Sequence, residues 1–148
     1  MKRLALLLAA SLACTAVHAS EAAQVRASGA WIRMLPGTLP AGAYVTLHNN
    51  GDRPAVLRGA RSTDYAGVML HQSSSAGGMS RMRMVDALVV PAHGTAALAP
   101  GGYHLMLTQA QRPVQPGDTV RLELQFADGS TLPTDFIARP ADALGPSH

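Results

Sequence analysis

Apolar and polar positions alternate along this chain in short runs, which is the pattern of half-buried β-strands. The alternation is clearest over residues 120–126, where the even-numbered residues are apolar and the odd-numbered ones are polar. Similar runs occupy residues 29–34, 43–48, 55–60, 67–71, 82–90, 95–98, 103–108, 119–126 and 131–138. No segment keeps the apolar period of a helix. The pattern therefore predicts an all-β domain, an antiparallel β-sandwich or barrel.

Short segments with the composition of turns separate these runs. Residues 49–52, 76–78, 100–102, 116–118 and 128–129 combine glycine with asparagine, aspartate, proline or a second glycine. Such residues supply the positive φ angles or the fixed φ that tight turns require. The serine- and glycine-rich residues 73–78 are predicted to be the most flexible internal segment.

Residues 1–19 have the features of a secretory signal peptide. Lys2 and Arg3 precede a short apolar stretch, and Ala19 stands at the expected cleavage point. The stretch is shorter than the roughly 20 residues that span a bilayer. We therefore expect an exported protein without a transmembrane segment in its mature chain. Acylation of Cys14 is the alternative, but Ser11 stands where a lipobox normally carries leucine.

The mature chain suits a single domain. We assign residues 20–138 to the β-domain and residues 139–148, which contain two prolines and a glycine, to a flexible tail. Removing Lys2 and Arg3 leaves the mature chain close to neutral, so its charge gives no reason to expect a nucleic-acid partner.

Histidine and methionine supply the candidate chemistry, because Cys14, the only cysteine, is lost with the leader. His104 and Met106 are two apart in one predicted strand and so share a face, whereas Leu105 points to the other. His71 ends one run and Met82 begins the next, so a hairpin between the two runs would bring these side chains together.

Imidazole and thioether without carboxylate or thiolate form a soft ligand set, which suits Cu(I) better than Mg²⁺, Ca²⁺ or structural zinc. Thioethers need no deprotonation, and an oxidising compartment cannot convert them to disulfides. We therefore expect one Cu(I) per chain, bound by His71, Met82, His104 and Met106.

The other methionines have less definite roles. Met34 and Met69 are expected to fill the core, and Met79 remains unassigned. Met84 would share a strand face with Met82, so occasional contact with copper stays open.

The remaining internal histidines, His48 and His93, lie next to turn signals. We expect them to be solvated turn residues and do not assign them to the site.

The spacing of the four ligands resembles the signature of the periplasmic copper chaperone family called PCu(A)C. Ten residues separate His71 from Met82, twenty-one separate Met82 from His104, and one separates His104 from Met106. The flanking residues 30–33, 42–47, 49–52, 82–86 and 100–104 also resemble that family, although Met84 stands where proline is usual.

The resemblance implies a cupredoxin-like β-sandwich with an accessible Cu(I) site, located in the periplasm. It also implies a metallochaperone that delivers copper by ligand exchange towards cytochrome c oxidase assembly. The recipient would be the copper subunit of the oxidase or another assembly chaperone.

The residues argue against several other functions and leave some open. No nucleophile elbow accompanies Ser73 and His71, and the HExxH motif of zinc proteases is absent, so we do not expect an enzyme. Blue-copper electron transfer needs a cysteine ligand, and the predicted mature chain has no cysteine, so we do not expect this function either. A periplasmic copper scavenging or storage protein, a β-sandwich interaction module without metal, and additional Cu(II) binding through His148 remain alternatives.

Overall fold

A computed structural model describes residues 18–147, so most of the predicted leader, Cys14 and His148 lie outside the described residues. The described chain forms one short helix and ten strands: α1 (Glu21–Gln24), β1 (Val25–Arg33), β2 (Ala41–Asn49), β3 (Ala55–Arg61), β4 (Tyr65–Ala76), β5 (Met79–Met84), β6 (Leu88–Val90), β7 (Thr95–Leu98), β8 (Tyr103–Ala110), β9 (Thr119–Phe126) and β10 (Thr131–Arg139).

All ten strands belong to one hydrogen-bonded sheet, in the order β5-β4-β8-β7-β2-β1-β10-β9-β3-β6, and β8 also pairs with β2. The pairs are antiparallel except for β1 with β10 and β7 with β8. β6, at one end of this order, contacts β2 and β7 in its middle, so the sheet folds over on itself. The predicted all-β sandwich is therefore confirmed, with two parallel pairings that alternation alone does not predict.

The core lies between the two halves of the folded sheet and contains buried side chains from both. Leu122 and Phe136 come from one half, and Leu105 and Leu107 of β8 come from the other. Because side chains alternate along a strand, His104 and Met106 lie on the opposite side of β8. We call this side of β5, β4, β8 and β2, which faces away from the core, the outer face.

The segment between β4 and β5 differs from the expectation of a flexible loop. β4 continues through residues 73–76, and only Gly77 and Gly78 form the turn, with φ angles of +59° and +75°. Two positive φ angles characterise the type I′ turn, whose twist matches that of the flanking strands. The predicted strand 82–90 is also two strands, since residues 85–87 separate β5 from β6.

Part of the predicted tail packs on the domain. Arg139 is the last residue of β10, and Ala143 is buried against Trp31 and Tyr44. The Ala143 carbonyl accepts hydrogen bonds from the Arg33 guanidinium at 2.8 and 3.2 Å. Residues 139–143 are therefore tied to the strands, whereas Leu144 is exposed.

Within residues 18–147, we find no helix with the length and apolar character needed to cross a membrane.

The Gly77-Gly78 turn yields a prediction for the β4–β5 hairpin. Alanine at either position must adopt a left-handed conformation that costs roughly 1–2 kcal/mol, so amide exchange in β5 should accelerate about tenfold per substitution. The measurement is hydrogen exchange of Gly77→Ala and Gly78→Ala.

Gly145→Ala is the control, because Gly145 has no positive φ and no neighbour near its missing Cβ. If the amide hydrogen-exchange rates of β5 were unchanged in both turn variants, the hairpin would not depend on this turn.

Candidate metal centre

The two candidate histidines are neighbours on adjacent strands. The antiparallel register of β4 and β8 places His71 directly opposite His104 and Met69 directly opposite Met106. The two imidazole rings are 5.7 Å apart between centroids, in an edge-on arrangement. Leu70 and Leu105 alternate with the histidines and are buried in the core, so both imidazoles lie on the outer face.

β5 brings two further thioethers to the same face. Its register with β4 places Met82 opposite Ser73 and Met84 opposite His71. Met82 is therefore a diagonal neighbour of His71, within reach of a long side chain. The hairpin thus brings His71 and Met82 together as predicted, but Met84 is the residue that pairs with His71.

His104 is almost fully buried, with 6% of its surface exposed. The turn at Pro100-Gly101 precedes it, with a hydrogen bond from Gly102 N–H to Ala99 C=O and φ = +84° at Gly101. His104 Nδ1 lies 3.3 Å from the Gly102 carbonyl oxygen. With its Nδ1 proton donated there, the ring keeps the Nε2 lone pair for a metal ion, an arrangement common among metal-binding histidines.

His71 is half-buried, and its Nδ1 atom is buried without a hydrogen-bond partner among the described residues. Burial lowers the pKa of His71, and the nearby His104 lowers it further. Both effects favour the neutral imidazole, which is the form that binds metal. A metal ion would also satisfy a ring nitrogen that otherwise lacks a partner.

A cavity of about 130 Å³ opens beside these strands, and Met82, His104 and Met106 all line it. Gly42 of β2 lies opposite Met106, and a Cβ at Gly42 would come within 2.8 Å of the Tyr44 hydroxyl. Glycine is therefore needed for the Tyr44 side chain to lie as it does beside the cavity. The sequence motifs did not identify these two residues as neighbours of the site.

An aromatic cluster borders the centre on the side of β1. Tyr44 stacks on Trp31 with ring centroids 4.8 Å apart, and its ring lies 6.3 Å from that of His104. The Arg33 guanidinium lies over both aromatic rings, at 5.3 Å from Trp31 and 5.7 Å from Tyr44. Burial raises the pKa of Tyr44, with a smaller opposing effect from Arg33, so its hydroxyl stays protonated at neutral pH.

The remaining histidines are engaged elsewhere. His48 Nε2 lies 2.8 Å from the Ser28 hydroxyl, within β2 and not in a turn as expected. His93 Nε2 lies 2.6 Å from an Asp52 carboxylate oxygen, and both side chains are exposed.

The methionines outside the predicted ligand set divide between two environments. Met34 packs against the core, as expected, with its sulfur 3.8 Å from the Tyr65 hydroxyl. Met69 instead lies on the outer face, because its neighbours Val68 and Leu70 face the core. The expected core role of Met69 was therefore wrong.

The described part of the chain holds no group of three or more histidine, cysteine, aspartate or glutamate side chains placed to bind a metal ion. The candidate centre differs from such groups because half of its predicted donors are thioethers.

Comparison with known proteins identifies the family. Residues 24–137 match the family model described as "Putative lipoprotein LpqE-like". The "Putative lipoprotein Lxx21020" of Leifsonia xyli subsp. xyli (strain CTCB07) is 32% identical over 127 residues, which cover 80% of this chain and 76% of that protein.

Solved structures share the fold. The solution structure of CuI-DR1885 from Deinococcus radiodurans is 37% identical, covers 75% of each chain and has a TM-score of 0.61. The apo PmoF2 PCuAC domain is 25% identical, covers 82% of this chain and 94% of that domain, and has a TM-score of 0.66. The predicted cupredoxin-like β-sandwich is thereby confirmed, and the chain belongs to the LpqE-like family of PCu(A)C-type domains.

Proposed function

We propose that this protein is a periplasmic metallochaperone that binds one Cu(I) ion and passes it to another protein by ligand exchange. The copper ligands in this proposal are His71, Met82, His104 and Met106. The observation that carries the proposal is their placement on one outer face, with the two imidazoles directly opposite each other.

The chemistry of these donors supports copper as the cargo. Two imidazoles and two thioethers match Cu(I), which prefers soft ligands. The pKa of His71 is shifted in the direction that keeps this ligand neutral. The family likeness adds support, since the DR1885 structure is of a protein loaded with Cu(I).

Export and delivery complete the proposal. The signal-like residues 1–19 and the word lipoprotein in the names of the matched family and relative support a location outside the cytoplasm. The exposure of Met82, at 53%, gives a recipient direct access to one copper ligand. A recipient with thiolate ligands, such as a copper subunit of cytochrome c oxidase or an assembly chaperone, could take the ion without energy input.

The ligand set can be tested by Cu(I) competition titration of the mature protein under reducing conditions. Wild type should bind one equivalent, because the four donors form a single centre. His71→Ala, His104→Ala and Met106→Ala should each weaken binding by more than the roughly 10–100-fold typical of outer-shell substitutions.

His48→Ala is the matched control for the titration, because His48 is a half-buried strand histidine that contacts Ser28 and not the centre. Failure of wild type to bind Cu(I), or equal affinity in the control and the three ligand variants, would refute the proposal.

The pH dependence of the apo centre gives a second test. Burial and His104 both lower the pKa of His71, so His71 should titrate below the usual histidine value of about 6.5. The neutral, metal-binding ring should therefore persist as the pH falls through 6.5, and protonation should compete with Cu(I) only below it. Nitrogen-15 NMR of the imidazoles in the metal-free protein measures this midpoint.

His104→Ala should raise the His71 midpoint, because it removes one of the two causes that lower the pKa of His71 and admits water to the ring. A His71 midpoint at or above 6.5 in wild type would contradict this account of the site.

A further inference from the structure

Met84 of β5 pairs with His71 across the β4–β5 hairpin, at a position that the proposed ligand set does not use. The hydrogen bonds of β4 define the type of this pair. Ser73 N–H donates to Gly102 C=O at 2.9 Å, whereas Val85 N–H donates to Leu70 C=O at 3.0 Å. In this alternation the odd-numbered residues of β4 bond to β8 and the even-numbered ones to β5.

His71 and Met84 therefore form a non-hydrogen-bonded pair of the antiparallel ladder. In such pairs the Cα atoms are only about 4.5 Å apart, and the side chains are closer than in the hydrogen-bonded type. The adjacent pair, Gln72 and Arg83, lies on the other face and is joined by a side-chain hydrogen bond of 2.7 Å. That bond joins the two strands next to the point where Met84 meets His71.

The environment of Met84 is not that of a packing residue. It is 65% exposed and lies on β5, which is an edge strand of the sheet that the described residues form. Met82 is two residues away on the same face and is 53% exposed. Two flexible thioethers thus lie next to one imidazole, on the solvent side of the centre.

On this geometry, and resting on the proposed Cu(I) function, we infer that Met84 is a further copper ligand that exchanges with Met82. His71, His104 and Met106 hold the ion on the inner side, and either thioether of β5 completes the coordination. In the exchange a Cu–S bond to Met82 breaks as a Cu–S bond to Met84 forms. Copper remains Cu(I), and no proton moves because both thioethers are neutral.

The consequence concerns release of the ion. Because the two thioethers are interchangeable, water or a ligand of the recipient can replace one of them at the copper ion while the other remains bound. The recipient then meets copper at the edge strand, where the outward backbone and side chains of β5 are accessible.

The first test is a double-mutant cycle read by Cu(I) competition titration of the mature protein. Met82→Ala and Met84→Ala should each weaken binding moderately, because the other thioether substitutes. The double variant Met82→Ala/Met84→Ala should lose more affinity than the product of the two single losses. Both side chains are exposed, so their truncation leaves no core cavity.

Met79→Ala is the matched control. Met79 is a methionine of the same strand with similar exposure, 59%, but it lies opposite Ala76 at the turn and on the other face of β5. Its substitution should leave Cu(I) affinity unchanged.

The second test needs no substitution. With methyl-labelled methionine, one equivalent of Cu(I) should shift the Met84 methyl resonance of wild type, as it shifts that of Met82, and leave Met79 in place. A Met84 signal as unresponsive as Met79, or a double variant no weaker than Met82→Ala alone, would overturn this inference while leaving the proposed function standing. Absence of Cu(I) binding by wild type would overturn both.

Discussion

The register between β4 and β8 is the constraint on which the candidate centre depends. It sets His71 against His104 and Met69 against Met106, and it alternates these residues with leucines that are buried in the core. Because the side-chain period of a strand is two, a slip of one residue would turn the leucines outward and the imidazoles inward. The hydrophobic core therefore holds the centre in place, since the burial of Leu70, Leu105 and Leu107 makes any other register costly.

The donors of the centre differ in how firmly they are held. His104 is nearly buried, is oriented by the Gly102 carbonyl, and lies beside the aromatic pair of Trp31 and Tyr44. The methionines of β5 are instead exposed on an edge strand next to a two-glycine turn. A fixed inner side and an adaptable outer side suit a carrier, because the ion must be bound in a defined place and yet be reached by another protein.

Much of this architecture is predictable from the sequence, for physical reasons that particular elements show. Residues 119–126 alternate cleanly and form β9 over those same residues, since one of its faces is buried. The outward placement of His104 and Met106 follows from the same period of two around Leu105. The β4–β5 hairpin was less predictable, because Ser73 to Ala76 resemble a loop in composition. They form strand by pairing with Met79 to Met82, and Ser73 also bonds to Gly102. The approach of Tyr44 and Trp31 to the centre depends on pairing between distant segments, which no local pattern encodes.

The most direct test of this account is X-ray absorption spectroscopy of the mature protein loaded with one equivalent of Cu(I). The account predicts a first coordination shell that mixes imidazole nitrogen with thioether sulfur, and loss of the imidazole contribution in a His71→Ala/His104→Ala variant. A shell without sulfur, or a spectrum that the double substitution leaves unchanged, would show that copper is bound elsewhere and that the outer face of β4 and β8 is not the centre.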